Sequence, residues 1–460
     1  MKISKKLIGA VLAAAVILFS MFLPATPALT QAGWRTAGLL AAFLIMLVSE
    51  ALPVIVVSLL FCSLMPILGI TKGFGPALSG YAEPIVFFTL ASFGIAAALT
   101  SIPLSKRMLR ALLKKSGGSI EQVLLAMMVS CSLLSSIVSN VPTCAIFMTL
   151  ALDFLKLYKD PREQRQAGRA FMIAIPVASM IGGMMTPAGS SINLLAISQL
   201  EKYTGTTITF VEWMAAGIPM AALMIWLAWY LMCRIYRPTP VSRQQIDSFI
   251  AGMDIPDQMG AKEKKVLVIT LVMLGLWIAS SWIRSISVMV VAMIGCCVMF
   301  FPGVEVLDVD TFVRENSWDA FFMVGAVISI AEAMINNGVS AAIAGAIPSV
   351  SAGLPVILAF TALVIFITLV IIPVATSMIP IMAVPLLAIA ANSGANPALI
   401  MLTAALCAGN CYLLPLDTVP LITYSKGYYS MTDMAKSTIF LQLAMIALCA
   451  LWLPLLSGLF

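Results

Sequence analysis

Ser135-Ser136-Ile137-Val138-Ser139-Asn140-Val141-Pro142-Thr143 is the stretch that decides how this chain folds. It interrupts an apolar run that extends from Val123 to Leu152. Hydrocarbon offers no partner to a backbone N–H or C=O, and each unpaired group there costs several kcal/mol. A polar break inside a membrane-length run therefore survives only where it lines a cavity or binds something. A second break, Pro373-Val374-Ala375-Thr376-Ser377, falls in the other half of the chain. Interruptions paired across two halves point to a transporter binding site.

Composition agrees. The 460 residues are 61% hydrophobic and 10% charged, and mean hydropathy is +1.06. A soluble domain carries about 25% charged residues. The expectation is an all-α polytopic membrane protein, an inverted-repeat transporter with two re-entrant hairpins and broken helices. At about 20 residues per span, the length leaves room for roughly ten to twelve spans or half-spans.

The basic residues fall in blocks: Lys2 to Lys6, Lys106 to Lys115, Lys156 to Arg169 and Arg234 to Lys265. Short clusters at the ends of apolar runs read as cytoplasmic loops. A nucleic-acid partner would want them on one soluble face, and none is expected. The chain has no His, which removes imidazole ligands and His proton relays. Its nine Cys are scattered through apolar segments and read as small packing residues.

In chain order, residues 1–32 read as an N-terminal transmembrane helix. The basic start, the apolar stretch Leu7 to Leu23 and the small residues after it also resemble a cleaved signal peptide; the length of the stretch and the spans that follow at once favour retention. Residues 33–236 read as a first repeat with a hairpin and the first polar clusters. Residues 237–265, polar and too short to bury a core, read as a cytoplasmic linker. Residues 266–460 read as a second repeat with a second hairpin. Phe87-Phe88, Ser139-Asn140 and Thr186-Pro187 recur in order as Phe321-Phe322, Thr376-Ser377 and Leu414-Pro415.

Four polar clusters sit at membrane depth: Ser135/Ser139/Asn140, Gly189/Ser190/Ser191/Asn193, Thr376/Ser377 and Asp417/Thr418. Each lies near a Pro or Gly, which break or bend a helix. Half-helix N-termini aim N–H groups at an anion, and freed carbonyls and hydroxyls coordinate Na⁺. Interhelical Ser/Thr packing explains one such cluster, but four, paired across halves, favour a site. None contains Lys or Arg, so an anion held there needs a co-bound cation.

The motifs also carry a resemblance. Ser49-Glu50-Ala51-Leu52-Pro53, Met65 to Ile70, Ser139-Asn140, Gly182-Gly183 through Thr186-Pro187 to Asn193, and Leu414-Pro415-Leu416-Asp417-Thr418-Val419-Pro420 resemble the divalent anion–sodium symporters. Gly427-Tyr428 and Asp433-Met434 extend the last motif, and the likeness covers about Trp34 to the end. That family carries di- and tricarboxylates or sulfate. The resemblance implies Na⁺ as coupling ion, at a first site made by Ser135, Ser139, Asn140 and the Gly189 carbonyl. It implies anion contacts from Asn140, Ser190, Ser191, Thr418 and the second hairpin tip, at Thr376 and Ser377. It also implies a homodimer in which a transport domain moves like an elevator against a scaffold.

The chain departs from the family's pattern at several positions. Val141 stands for a Thr, Ala375-Thr376-Ser377 lacks the Asn of the second tip, Asp417 replaces a small residue, and Val419 and Leu421 replace Pro and Asn. Asp417 is then a candidate cation ligand standing in for the lost amide, with a helix cap as the bland alternative.

The resulting expectation is a multi-pass importer in the inner cell membrane, taking a small divalent anion with Na⁺, a C4-dicarboxylate first. The alternatives are a sulfate or other oxyanion carrier, a proton-coupled symporter and an anion exchanger. With no His, no Gly-x-Ser-x-Gly and no Asp pair near a Tyr, the sequence lacks the groups an intramembrane enzyme would use for nucleophilic or carboxylate-dyad chemistry. A channel would need a charged ring or a carbonyl filter, and the sequence offers neither.

Overall fold

Runs this apolar satisfy their backbone in a bilayer by forming helices. The computed structural model describes residues 5–115, 118–283, 285–346, 352–371 and 374–460, and among these there is no strand. Lys2 and Pro373, both invoked above, lie outside the described residues.

The first half opens with α1 (Lys5–Phe22), α2 (Gln31–Val48), α3 (Val54–Ile67) and the single turn α4 (Phe74–Ala77). Next come α5 (Pro84–Thr100) and, after a 58° bend, the amphipathic α6 (Leu104–Lys115). α7 (Ile120–Ser135) and α8 (Asn140–Leu155) flank the break that opened the sequence. α9 (Pro161–Gly183), α10 (Ser191–Thr204) and α11 (Phe210–Tyr236) follow, and α12 (Arg243–Ala251) lies in the connecting segment. The second half holds α13 (Ala261–Ala279), α14 (Val288–Val298), α15 (Val309–Glu315), α16 (Trp318–Asn336) and α17 (Val339–Ala346). It closes with α18 (Leu354–Ile371), α19 (Ala375–Ser393), α20 (Pro397–Ala408), α21 (Thr418–Tyr424) and α22 (Met431–Leu451).

Among the described residues, α2, α11, α16, α19 and α22 are each long and apolar enough to cross a membrane, and the bent pair α5–α6 is so only when taken together as one span. α7 and α8 have 16 residues each. At about 1.5 Å per residue each is roughly 24 Å long, short of a hydrocarbon core of about 30 Å. Their outer ends meet the same connecting segment. Gly118, just before α7, lies against the Arg243 side chain. Beyond α8, Tyr158 Oη donates to the Thr239 carbonyl at 2.6 Å, and Gln245 Nε2 donates to that of Leu157 at 3.3 Å. The pair thus doubles back, with 136–139 at its tip.

Two elements depart from the sequence reading. α9 starts ten residues before its apolar run, because Asp160 caps it and Pro161 occupies its first position. The segment 237–265 contains α12, closed by a Ser242/Gln245 capping box. Ile246 and Phe249 bury this helix, with the Phe249 ring 5.2 Å from that of Phe154.

Three of the basic blocks, Lys106 to Lys115, Lys156 to Arg169 and Arg234 to Lys265, meet at one end of the molecule. Arg107 of α6 pairs with Glu263, with Nη2 3.1 Å from Oε2. Gln166 of α9 donates to the Arg237 carbonyl at 2.8 Å. The end of α10 holds an opposite arrangement. There Lys202 Nζ bonds Glu83 at 3.0 Å and also Glu332 of α16, which accepts from Ser79 as well. An acid inside an apolar helix needs a partner, and Glu332 has found two.

The two halves exchange their last half-helices. α10 packs on α19 and α20, while α21 packs on α8 and α9. α8, which starts at the first polar break, and α19, which follows the second, are each packed by a helix from the other half.

Candidate functional site

The tip between α7 and α8 is built around Asn140. Ser139 is the N-cap of α8 and makes no capping bond with its side chain. Ser135 Oγ donates to Asn140 Oδ1 at 2.8 Å and lies 3.2 Å from Ser179 Oγ. Ser179 Oγ in turn donates to the Asn140 carbonyl at 2.8 Å. Ser135 and Ser179 are fully buried, and Asn140 is 8% exposed.

α9 can reach this tip because it ends in Gly182-Gly183. A methyl on Gly182 would sit 2.6 Å from Ser132 Cα, and one on Gly183 would sit 2.8 Å from Asn140 Nδ2. Both are closer than real Cβ contacts come, so Gly182 lets α9 meet the backbone of α7 and Gly183 leaves room for the Asn140 side chain of α8. After Gly183 the helix breaks into a 3-10 turn, Pro187–Gly189, before α10 begins. Thr186 Oγ1 donates to the Ser136 carbonyl at 2.6 Å and accepts from Gly189 N at 3.0 Å. Asn193 Nδ2 donates to the carbonyls of Gly183 (2.8 Å) and Thr186 (2.9 Å). These bonds hold the tip, the break and Gly189 together, with Gly189 backed by the Gly183 and Ser136 carbonyls.

Ser190 caps α10 by accepting from Ile192 N, and Ser191 is its first residue. Hydroxyls and N–H groups at a half-helix start suit an anion. The oxygens of Ser135, Asn140 and Ser179 are hard donors of the kind an alkali cation takes. Among the residues named in this site none is cationic.

The second half is less polar. Thr376 lies in the first turn of α19, with Oγ1 4.0 Å from Met323 Sδ, and Ser377 is fully buried with no partner for its Oγ. Asp417 caps α21, accepting from Val419 N at 3.1 Å. It also lines a narrow cleft between the facing ends of α18, α19 and α20, whose other walls include Leu369, Val370, Ala375 and Leu416. Asp417 thus lies beside the second tip, and within this cleft it is the only acid. Thr418 is exposed at the start of α21. The Val419 carbonyl accepts from Cys144 Sγ at 3.6 Å, which brings this turn beside the first turn of α8.

The segments that follow α9 and α20 also touch directly. Asn410 Nδ2 donates to Met184 Sδ at 3.4 Å, and Gln442 Nε2 donates to the Asn410 carbonyl at 3.0 Å. The sequence reading passed over Ser179 and Asn410. Each had a signal: Ser179 is the only hydroxyl between Phe171 and Gly183, and Asn410 is the only amide between Pro397 and Leu416.

Comparison with known proteins bears on this geometry. A "Membrane protein" of Cupriavidus necator is 24% identical over 71% of this chain and 67% of its own length. The "Sodium-dependent dicarboxylate transporter SdcS" of Staphylococcus aureus is 25% identical over 85% of this chain and 79% of its own. The crystal structure of the YdaH transporter of Alcanivorax borkumensis shares the fold, with a TM-score of 0.56, 12% identity and 99% coverage of both chains. The family described as "Sodium:sulfate symporter transmembrane region" matches residues 4–457. A match over nearly the whole chain, on helices that break where the polar residues gather, makes this a carrier and not an enzyme: the protein belongs to the sodium:sulfate symporter family.

Proposed function

We propose that the protein imports a small divalent anion, a C4-dicarboxylate, coupled to Na⁺, across the inner cell membrane. The observation that carries this reading is the cationless polar site at the first tip, sealed by elements of both halves. Na⁺ takes oxygens from Ser135, Ser139, Asn140 and the Gly189 carbonyl. The anion takes hydroxyls and N–H groups from Asn140, Ser190, Ser191, Thr376, Ser377 and Thr418. Na⁺ offsets the dianion's charge where the residues do not. The dicarboxylate relative supports this choice over sulfate, and the working unit is a homodimer. The test is uptake of radiolabelled anions into proteoliposomes, with and without an inward Na⁺ gradient. C4-dicarboxylate uptake should rise with the gradient; uptake indifferent to Na⁺ would refute the coupling, and sulfate uptake in its place would refute the substrate.

The gathered basic blocks mark the cytoplasmic end, because Lys and Arg translocate poorly. Lys114→Cys should react with a membrane-impermeant maleimide only after the cells are opened. Labelling in intact cells would invert the topology.

Asp417 acts as a second cation ligand beside the second tip, in place of the missing Asn. Its position in the cleft shared with Ala375 supports this role. Asp417→Asn should weaken Na⁺ dependence and lower the apparent Na⁺ stoichiometry, with the anion still bound. A variant that loses pH dependence and keeps its Na⁺ response would assign the carboxyl to a proton instead. Unchanged responses to both would leave Asp417 as a cap alone.

A further inference from the structure

The basic end carries a concave feature that the hairpin tips do not use. Arg162, Arg165, Gln166 and Arg169 follow one another along α9 at i, i+3, i+4 and i+7, which is one stripe of a helix. With Ile235 and Tyr236 at the end of α11, they line a cleft of about 340 Å³. The neighbouring groups are already engaged. The Gln166 amide donates to the Arg237 carbonyl, and Tyr236 Oη bonds the Asp433 carbonyl and Ser437 Oγ. The Asp433 carboxylate is spent on capping α22 and approaches Arg169 Nε only to 3.9 Å. Arg169 Nε is buried and has no hydrogen-bond partner, and a buried donor in that state calls for an acceptor.

The positive-inside rule explains cations at this end, but not why all three cations of the cleft are arginine. A guanidinium fork matches a phosphate's oxygens in pairs, and an ammonium does not. Basic pockets between helices at the cytoplasmic surface suit lipid head groups. We propose that this cleft binds a phosphate group, carried by an anionic phospholipid or free in solution. Arg162 and Arg165 reach it from the rim and Arg169 from the floor. The bound group ties the base of α9 to α11, and α9 is the helix whose far end forms the Asn140 site.

The test is thermal unfolding of the full chain in neutral detergent. One arm adds phosphatidylglycerol, with phosphatidylcholine as its control; the other adds inorganic phosphate, with chloride at matched ionic strength. Wild type should melt several degrees higher with phosphatidylglycerol or with phosphate, and the arm that responds names the source. Arg162→Gln/Arg165→Gln should melt like wild type without additive and lose the shift. Arg165→Lys, which keeps the charge and loses the fork, should retain only part of it. Asn140→Ala should keep the shift in full, which separates the cleft from the transport site. An equal shift in the double variant, or no shift in either arm, would overturn the proposal.

Discussion

Asn140→Ala should reduce uptake to the level seen without a Na⁺ gradient while the protein still folds. The Asn140 side chain accepts from Ser135, and its carbonyl accepts from Ser179. Its amide oxygen suits a cation and its N–H₂ suits an anion, so one residue serves both ligands. The backbone carbonyl survives truncation, so the bond from Ser179 remains. Ser135 loses one partner but retains the Ser179 hydroxyl at 3.2 Å. The cost in stability should be about 1 kcal/mol, against near-complete loss of coupled transport. Uptake kinetics paired with a melting curve separate the two effects. Wild-type kinetics in a normally folded variant would demote Asn140 to packing.

Gly182→Ala should be the most damaging single methyl in this region. The added carbon meets Ser132 backbone atoms, and backbone cannot swing aside as a flexible side chain can. α7 and α9 must separate, which also draws Ser132 Oγ from the Ala178 carbonyl it now reaches at 2.7 Å. Overpacking of this kind costs about 1–3 kcal/mol. The tip should move with α7, so transport should fall further than stability does. Gly183→Ala makes an informative contrast, because its methyl meets the Asn140 side chain, which can turn. Melting temperature and uptake, measured on both variants, check this order. A Gly182→Ala protein that transports normally would mean that α7 and α9 have slack to spare.

Much of this was legible before the structure. Hydropathy marked the helices, since a bilayer leaves an apolar run few other options. The polar break marked the end of α7 and the start of α8, because Ser135 to Asn140 interrupt a run of membrane length. The legible part stops where partners come from far along the chain. Nothing local announces that Ser179 completes the Asn140 cluster, or that Asn410 meets Met184 across 226 positions. The early start of α9 was hidden for a different reason: its first turns are polar, and only the Asp160-Pro161 cap reveals them. Glu332 was visible as an anomaly, but its partner Lys202 lies 130 residues away.

The exchange of α10 and α21 between halves has a consequence for how the protein is made. α21 leaves the ribosome long after α8 and α9, yet it packs on both. The first hairpin must therefore wait in the membrane, its polar tip only partly covered, until α21 has been made. Insertion factors that shelter such half-built polar surfaces would matter more for this chain than for one whose halves mature in turn. A fragment ending after α20 would keep α19 and α20 on α10 but leave α8 and α9 without the cover of α21.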